Sequence, residues 1–310
     1  MKIAVLIPCY NEELTIGKVV LDFKRELPEA EIYVYDNNSS DKTSERASAV
    51  GAQIFREPRQ GKGNVVRTMF RDIEADVYVL VDGDDTYPAE EVHVMIDHIR
   101  NGDADMVIGD RLSNGRYQEE NKRNFHEFGN RLVQTIVNLI FRSNIRDIMT
   151  GYRVFNRFFI KNFPVLSQGF QIETEMTVFM LNNNFKFKEV PITYRDRPDG
   201  SFSKLNTIRD GIRVLSILYA LFKHTKPMLF FLLISGFFLI ASLIVGVPVI
   251  VEFIQTDFIT LVPSAILASG LGILASLFLV VALILDTMAY YSRLDMECRL
   301  NSYIEHHHKR

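Results

Sequence analysis

Apolar runs alternate with amphipathic segments over residues 1–110 of the chain. The apolar runs predict buried strands at residues 2–8, 31–35, 53–55, 77–81 and 105–109. The segments between them have apolar side chains at helical spacing, for example at Ile16, Val19, Val20 and Phe23. Strands that alternate with helices predict an α/β fold with a doubly wound, mostly parallel sheet.

The pattern changes in the last third of the chain. Residues 228–251 and 264–285 contain no charged side chain, and each stretch could cross roughly 30 Å of hydrocarbon as a helix. We therefore expect a transmembrane hairpin over residues 227–290, with Glu252 and Asp257 in its short loop.

Lysines and arginines precede the first apolar stretch and follow the second. Because positive residues favour the cytoplasmic side, we expect an integral membrane protein whose amino-terminal domain and both termini face the cytoplasm. The first residues also lack the apolar run and cleavage site of a signal peptide, in agreement with a cytoplasmic start.

An amphipathic segment lies just before the hairpin. Apolar residues repeat at helical spacing from Leu205 to Phe222, with Arg209 and Arg213 on the other side, which predicts a helix in the membrane interface. An ordinary amphipathic helix packed on the soluble domain is the alternative. The expected organisation is a domain at 1–204, a juxtamembrane helix at 205–226, the hairpin, and a cytoplasmic tail at 291–310.

Overall composition excludes few classes. The net charge of −3 gives no reason to expect a nucleic-acid partner. Two cysteines, Cys9 and Cys298, lie far apart in sequence and do not suggest a disulfide framework. Cys9 ends a predicted buried strand and is expected to be a small core residue.

Carboxylates follow the buried strand at residues 77–81. Asp82, Asp84 and Asp85 come directly after it, separated by one glycine. Carboxylates gathered at one point repel one another unless a cation lies among them, and hard oxygen ligands suit Mg²⁺ or Mn²⁺. The alternative is an acidic turn that ends the strand and caps the next helix.

Ligands of doubly wound sheets bind outside the carboxyl ends of the strands, so the loops after Pro8, Tyr35 and Val81 are expected to converge on one crevice. Candidate nucleotide contacts in these loops are Pro8, Tyr10, Asn11, Glu12 and Asp36. Lys62 and Gly63 open a predicted helix, where free N–H groups and a lysine favour an anion. Each of these residues also has a purely structural explanation; Asn11, for example, could cap the helix that follows it. Together the loops suit a nucleotide diphosphate held by a metal ion.

These motifs carry a family resemblance. The residues Pro8–Glu12, Asp36 with its Asn-Ser-Ser-Asp loop, Gly61–Gly63 and Asp82-Gly83-Asp84 resemble glycosyltransferase family 2. Gly109–Arg111, Asp147–Arg153 and Ser203-Lys204 resemble its dolichyl-phosphate mannose synthase-like branch. The resemblance covers residues 1–225 and implies a GT-A fold and inversion of the anomeric centre.

Site roles follow from the resemblance residue by residue. Tyr10, Glu12, Asp36 and Asn38 would contact the nucleoside, Asp84 would ligate the metal, and Asp82 would lie beside it on the sugar or the metal. Arg111 would face the acceptor phosphate, with Arg123, Arg131, Ser203 and Lys204 as further partners. The family's Gly-Ser-Arg motif has Asp110 in place of serine here. Asp147 matches an aspartate proposed as a catalytic base.

Physical chemistry modifies the role of Asp147. A phosphate monoester has its second pKa near 6 and is mostly dianionic at neutral pH, so it needs positioning more than deprotonation. The departing nucleotide diphosphate is the harder problem, because its growing charge must be neutralised. We therefore expect Asp84 to matter more for activity than Asp147, which would mainly orient arginines.

The expected function is transfer of one sugar from a nucleotide sugar to a polyprenyl phosphate, such as undecaprenyl or dolichyl phosphate. UDP-glucose is the first candidate donor, followed by UDP-N-acetylglucosamine and GDP-mannose. The resemblance also implies a homo-oligomer, with a tetramer as the candidate. The alternatives are a processive polysaccharide synthase, which the lack of any tryptophan for a Gln-x-x-Arg-Trp motif disfavours, and an inactive membrane scaffold.

Overall fold

The computed structural model describes residues 1–113, 124–197, 219–220, 222–223 and 226–308, without the side chains of residues 124–128 and 303–308. The chain forms two compact units, Met1–Val214 and Leu215–Arg310. The predicted site residues Arg123, Ser203 and Lys204 lie outside the described residues, as does most of the predicted juxtamembrane helix.

The first unit has strands and helices in alternation. Its strands are β1 (Ile3–Cys9), β2 (Glu31–Asp36), β3 (Gln53–Arg56), β4 (Val77–Leu80), β5 (Met106–Asp110), β6 (Arg153–Asn156) and β7 (Phe187–Pro191). Its helices are α1 (Ile16–Glu26), α2 (Thr43–Ala49), α3 (Lys62–Asp72), α4 (Val92–Arg100), α5 (Asn124–Phe141), α6 (Arg157–Asn162) and α7 (Ile172–Asn182). A 3₁₀ turn at Ala89–Glu91 precedes α4.

The strands form one sheet in the order β3-β2-β1-β4-β6-β5-β7. Neighbours pair in parallel except for β6, which is antiparallel to both β4 and β5. The predicted α/β fold with a mostly parallel sheet is therefore confirmed. The sequence pattern did not predict β6, because a four-residue strand that begins with an arginine has no distinct apolar run.

Burial on both faces explains the continuous apolar runs. Every residue of β4 and β5 is buried, and β1 has only Pro8 partly exposed. One face of the sheet packs on α1 and α4, whose inward residues include Ile16, Val20 and Met95. Such a sheet needs apolar side chains at consecutive positions rather than at alternate ones.

The sequence predicts a helix from Glu12 to Leu27, but helix α1 begins four residues later, at Ile16. Residues Glu12–Thr15 instead form a turn, in which the Glu12 carbonyl accepts hydrogen bonds from the backbone N–H groups of Thr15 and Ile16. Asn11 precedes this turn in the left-handed region, with φ of 54°. The first loop of the crevice is therefore longer than the sequence suggests, and Asn11 does not cap the helix.

The second unit is a helical hairpin. Helices α8 (Pro227–Thr256) and α9 (Val262–His308) contain the two predicted spans and are long and apolar enough to cross a membrane, with hydropathies of 2.8 and 2.6. Two serines of α8 tie the helices together: Ser235 Oγ donates to the Ala275 carbonyl at 2.7 Å, and Ser242 Oγ donates to the Ala268 carbonyl at 2.8 Å.

Small residues line this contact. Ala268, Ala275 and Ala282 are buried at intervals of seven residues along α9, the repeat of a helix pair that packs along one seam. Small side chains let the backbones approach closely enough for the serine hydroxyls to reach carbonyls of the other helix. Helix α9 continues past its apolar stretch to His308. The predicted cytoplasmic tail at 291–310 is therefore helical up to that residue.

Candidate active site

The carboxyl ends of three neighbouring strands bring the predicted donor loops together. In the parallel register of β1 and β2, Cys9 lies opposite Asp36, and Asn37 N–H donates to the Cys9 carbonyl at 2.9 Å. Strand β4 lies on the other side of β1, so the loop that begins at Val81 opens on the same edge. The three loops therefore lie at the same edge of the sheet, as the predicted strand order requires.

The first two loops are joined by hydrogen bonds. Asn11 N–H donates to Ser39 Oγ at 2.9 Å, and Asn11 Oδ1 accepts from Ser40 N–H at 2.8 Å. Glu12 N–H donates to Thr43 Oγ1 at 2.8 Å. Tyr10, the first residue of the loop after β1, keeps 38% of its surface exposed, and an exposed aromatic ring is suited to pack on a base.

Asp36 closes β2 and shapes its own loop. Its two carboxylate oxygens accept from Ser39 N–H at 2.8 Å and from Ser44 Oγ at 2.6 Å. Each carboxylate oxygen can accept a second hydrogen bond, so these contacts orient Asp36 and leave acceptor capacity for a ligand. Asn38 is tied in a similar way, because its side-chain amide donates to the Pro58 carbonyl at 2.8 Å.

Asn37 is a residue of this edge that the sequence pattern did not single out. It is buried, donates to the carbonyls of Glu57 and Arg59 at 2.8 Å each, and accepts from Gly61 N–H at 2.7 Å. It therefore fixes the loop that precedes α3. Residues 36–41 are all polar, and nothing in the sequence indicates which of them would be buried.

The acidic motif after β4 is tightly packed. A Cβ atom on Gly83 would come within 2.7 Å of Cys9 Sγ, which explains both the glycine and the small core residue opposite it. Asp84 is 4% exposed and accepts from Thr86 Oγ1 at 2.6 Å. Burial, and after it the charge of Asp82, raises the pKa of Asp84 above its usual value.

The carboxylates of Asp82 and Asp84 are each paired with a cation. Arg197 Nη2 lies 2.5 Å from Asp84 Oδ2, and Lys62 Nζ lies 2.5 Å from Asp82 Oδ1. Asp85 has a left-handed φ of 60°, and its carboxylate pairs with Lys18 of α1 at 2.7 Å. Asp82 and Asp84 are therefore the members of the motif that share the crevice.

Lys62 joins two parts of the site. The first turn of α3 places it where the sequence predicts, and its ammonium contacts Glu173 of α7 at 2.6 Å as well as Asp82. Burial lowers the pKa of Lys62, but the charges of Asp82 and Glu173 outweigh that effect, so the net shift is upward. The sequence analysis did not predict Glu173 as a site residue. The only sign of such a role is its position as an acidic residue in a largely apolar helix.

Gly63 allows this arrangement. It is buried, and a Cβ atom there would overlap the backbone of Ser167 and Gln168. The loop before α7 consequently packs directly on the amino-terminal turn of α3.

Arg111 is held on several sides. Its Nε and Nη2 donate to the two carboxylate oxygens of Asp147 at 2.7 and 2.9 Å, a bidentate pair between two buried side chains. Its Nη1 donates to the hydroxyl of Tyr87 at 3.4 Å, and its guanidinium lies 5.5 Å from the ring centre of Tyr194. Neither tyrosine was predicted from sequence.

Asp110, which stands in place of the serine of the family motif, ends β5. Its Oδ1 accepts from Leu112 N–H at 2.8 Å and from Ser113 N–H at 3.2 Å. The aspartate thus stabilises the turn that follows Arg111.

The loop between Asp147 and β6 is held by a buried arginine. Arg153 is fully buried, and its guanidinium donates to the carbonyls of Ile148 and Thr150 at 2.6 and 3.1 Å and to Thr177 Oγ1 at 3.0 Å. Burial lowers the pKa of Arg153 to about 10, which still leaves it charged at neutral pH. The loop that carries Asp147 therefore has little freedom.

The remaining predicted acceptor residue, Arg131, lies on an exposed position of α5. Its backbone carbonyl accepts from Thr135 Oγ1 at 2.8 Å.

The donor set fits a hard divalent cation. Among the described residues, no group of three or more His, Cys, Asp or Glu side chains could hold a metal ion. The crevice offers the two carboxylates of Asp82 and Asp84, both now neutralised by side-chain cations. Mg²⁺ and Mn²⁺ are often held by one or two carboxylates while substrate phosphates and water complete the shell. A metal with a nucleotide diphosphate suits this pair.

A mostly parallel sheet with carboxylates at the carboxyl ends of its strands has the architecture of a GT-A fold. Residues 4–163 match the glycosyl transferase family 2. The glycosyltransferase AglJ of Haloferax volcanii is 37% identical over 230 residues, 74% of this chain and 75% of the relative. The chain belongs to glycosyl transferase family 2 and is a glycosyltransferase.

Two further similarities bear on the site. A dolichyl-phosphate hexose transferase of Haloferax volcanii is 29% identical over 63% of this chain and 83% of the relative. Among solved structures, glucosyl-3-phosphoglycerate synthase of Mycobacterium tuberculosis, in a complex with Mn²⁺, UDP-glucose and phosphoglyceric acid, covers 71% of this chain and 79% of its own. Its TM-score of 0.56 at 18% identity shows the shared GT-A fold.

Proposed function

We propose that this glycosyltransferase moves a single sugar from a nucleotide sugar to a polyprenyl phosphate at the cytoplasmic face of a membrane. The observation that carries the proposal is a series of contacts that connects the carboxylate of Asp82 to the guanidinium of Arg111. Asp82 lies against Gly151, Gly151 N–H donates to Tyr87, and Tyr87 accepts from Arg111. The carboxylates suit a metal-bound donor diphosphate, and the guanidinium suits an acceptor phosphate.

Apolar helices α8 and α9 support a lipid acceptor, since an enzyme that uses a polyprenyl phosphate must work where the tail leaves the bilayer. The name of the dolichyl-phosphate hexose transferase supports the same class of acceptor. We further propose that the amino-terminal unit and both termini face the cytoplasm, because the flanking positive residues lie on that side of the hairpin.

On the donor side, Tyr10, Glu12, Asp36 and Asn38 would hold the nucleoside. Asp84 and Asp82 would hold Mg²⁺ or Mn²⁺, which would neutralise charge on the departing diphosphate. Binding of the metal and the diphosphate would require Arg197 to leave Asp84, because its guanidinium occupies an oxygen that a metal ligand must expose.

The transfer is a single displacement. A phosphate oxygen of the acceptor forms a bond to the anomeric carbon, the bond from that carbon to the donor diphosphate breaks, and the nucleotide diphosphate leaves with the electron pair. The configuration at the anomeric carbon is inverted. Arg111 would hold the acceptor phosphate in line, and proximity of this kind supplies much of the rate enhancement in such reactions.

Asp147 would act by orienting Arg111 rather than as a base. Both of its carboxylate oxygens accept hydrogen bonds from the guanidinium, and one also accepts from Arg111 N–H at 3.2 Å. An acceptor phosphate that is already dianionic has no proton to give. Both facts favour a positioning role.

A lipid-extraction assay tests the proposal. The full-length protein, in detergent with undecaprenyl or dolichyl phosphate and Mg²⁺ or Mn²⁺, is incubated with radiolabelled UDP-glucose, UDP-N-acetylglucosamine or GDP-mannose. We expect label in the organic phase as a lipid-linked monosaccharide, with UDP-glucose as the preferred donor. Asp84→Ala, which removes a proposed metal ligand, should reduce the product by about 100-fold or more.

Other products would exclude the proposal. A water-soluble polymer would indicate a processive synthase. Label that never enters lipid with any donor, from folded protein that binds nucleotide, would contradict a polyprenyl-phosphate acceptor. An α-linked product from an α-linked donor would exclude inversion.

A further inference from the structure

A tyrosine outside the predicted site connects its two halves. Tyr87 lies five residues after Asp82, and its side chain is only 5% exposed. Its ring packs against the rings of Tyr152 and Tyr194, with centroids 5.4 and 5.7 Å apart. The phenol is thus fixed in direction, and its hydroxyl contacts Gly151 and Arg111, which no sequence pattern connects.

The hydroxyl accepts two hydrogen bonds. Gly151 N–H donates to it at 3.0 Å, and Arg111 Nη1 donates to it at 3.4 Å. Burial raises the pKa of Tyr87, so the phenol stays neutral at physiological pH. A neutral oxygen accepts from Arg111 without adding a charge that would compete with an anionic substrate.

Gly151 is the donor-side end of this connection. A Cβ atom at Gly151 would overlap the carboxylate of Asp82, so the backbone of Gly151 lies directly against that side chain. Arg111 is the acceptor-side end. Asp147 holds its Nε and Nη2, and Tyr87 holds its remaining nitrogen, Nη1. The Tyr87 hydroxyl therefore contacts both the guanidinium and the backbone segment that packs on Asp82.

We infer that Tyr87 is a positioning residue of the transfer reaction, whose hydroxyl sets the distance between the acceptor-phosphate arginine and the donor side of the crevice. This inference rests on the proposed function, because it needs an acceptor phosphate at Arg111. Displacements of about 1 Å in such a geometry are known to cost as much as 100-fold in rate.

The neighbouring Tyr152 offers a matched control. It is as deeply buried as Tyr87 and touches it, but among the described residues no group forms a hydrogen bond with its hydroxyl. The same Tyr→Phe substitution therefore removes a bridging hydroxyl in one case and an unsatisfied one in the other. Removal of an unsatisfied buried hydroxyl is expected to be neutral or stabilising.

The experiment compares Tyr87→Phe with Tyr152→Phe in the full-length protein in detergent. Steady-state rates are measured while the lipid phosphate and the nucleotide sugar are varied separately. We expect Tyr87→Phe to lower kcat/KM for the lipid phosphate by about 10-fold, the cost of one hydrogen bond to a charged group, and to leave the KM for the donor unchanged. Tyr152→Phe should match the wild type.

A second arm tests whether the hydroxyl acts through Arg111. In an Arg111→Lys background, Tyr87→Phe should cause little further loss, because the partner of the hydroxyl is already absent. Additive losses would overturn the inference. Equal rates for the two phenylalanine variants would also overturn it, as would a Tyr87→Phe defect that affects both substrates equally and follows a loss of thermal stability.

Failure of the proposed function would be recognised separately. If the wild-type protein forms no lipid-linked sugar, the acceptor assignment is wrong and the role of Tyr87 falls with it. If the wild type is active and only the comparison of variants fails, the proposed function stands without Tyr87.

Discussion

Replacement of Lys62 by methionine would leave two carboxylates in a buried region without the cation that they share. Lys62 contacts Asp82 at 2.5 Å and Glu173 at 2.6 Å, and its side chain is 9% exposed. Methionine fills a similar volume, so the change removes the charge and causes little loss of packing. The expected result is a marked loss of stability of the amino-terminal unit.

The magnitude follows from the burial of the partners. Loss of one member of a buried ion pair typically costs 3–5 kcal/mol, because a charge stays behind without compensation. The Glu173 side chain is 6% exposed, but that of Asp82 is 27% exposed and water can partly solvate it. We therefore expect the lower end, about 3 kcal/mol, which lowers the Tm of a domain of this size by about 6–12 °C.

Thermal unfolding of the full-length protein in detergent, followed by far-UV circular dichroism, measures this loss, since the chain has no tryptophan for fluorescence. Lys2→Met is the control. It breaks a pair with Glu31 in which the side chains are 46% and 43% exposed, and exposed pairs are typically worth up to about 1 kcal/mol. Lys62→Met should be clearly less stable than Lys2→Met.

The double variant Lys62→Met/Glu173→Gln tests the cause. If the cost arises from uncompensated charge, removal of the Glu173 charge should restore more than half of the lost Tm, because only the partly solvated Asp82 remains. A double variant as unstable as the sum of the two single variants would refute the reasoning. A Lys62→Met protein with the stability of Lys2→Met would refute it as well.

Three further predictions concern the crevice and its surroundings. Asp84→Ala should lower turnover by about 100-fold or more, and Asp147→Asn should lower it less, as measured by steady-state rates. An inactive Asp147→Asn protein that folds and binds both substrates would show that Asp147 matters more than we expect. Without nucleotide, the Arg197→Gln protein should bind Mn²⁺ about 10-fold more tightly than the wild type, because the guanidinium that pairs with Asp84 is removed. A Mn²⁺ titration followed by electron paramagnetic resonance measures this affinity, and an unchanged affinity would contradict the prediction. The third prediction concerns Glu57. Hydrogen bonds from Arg59 lower the pKa of Glu57 from 4.5 to about 2, although burial acts in the opposite direction. The contribution of Glu57 to stability is therefore present above pH 4.5 and is lost as the pH falls towards 2. Glu57→Gln should therefore lower the Tm at neutral pH and approach the wild type in acid, and a pH-independent difference would count against the assignment.

Much of the fold was predictable because a few physical rules dominate it. A sheet that is buried on both faces requires continuous apolar runs, and these mark β1, β2, β4 and β5 directly in the sequence. Long uncharged stretches likewise mark α8 and α9. Strand β6 was not predicted, because it is short and begins with a charged residue, Arg153. Hydrogen bonds to the surrounding carbonyls allow this arginine to be buried in the core.

The candidate site, like the fold, was predictable from the sequence only in part. The sequence by itself determined which loops meet, since parallel strands in alternation with helices bring Asp36, Lys62, Asp82 and Asp84 to one edge, and the motifs added Arg111 and Asp147. It did not determine the pairing of those charges. That Lys62 bridges to Glu173, that Arg197 reaches Asp84, and that Tyr87 lies between Arg111 and Gly151 depend on contacts between residues 24 to 113 positions apart. Local sequence patterns report periodicity and turns, whereas such pairings arise only when packing of the whole domain fixes which side chains are buried together.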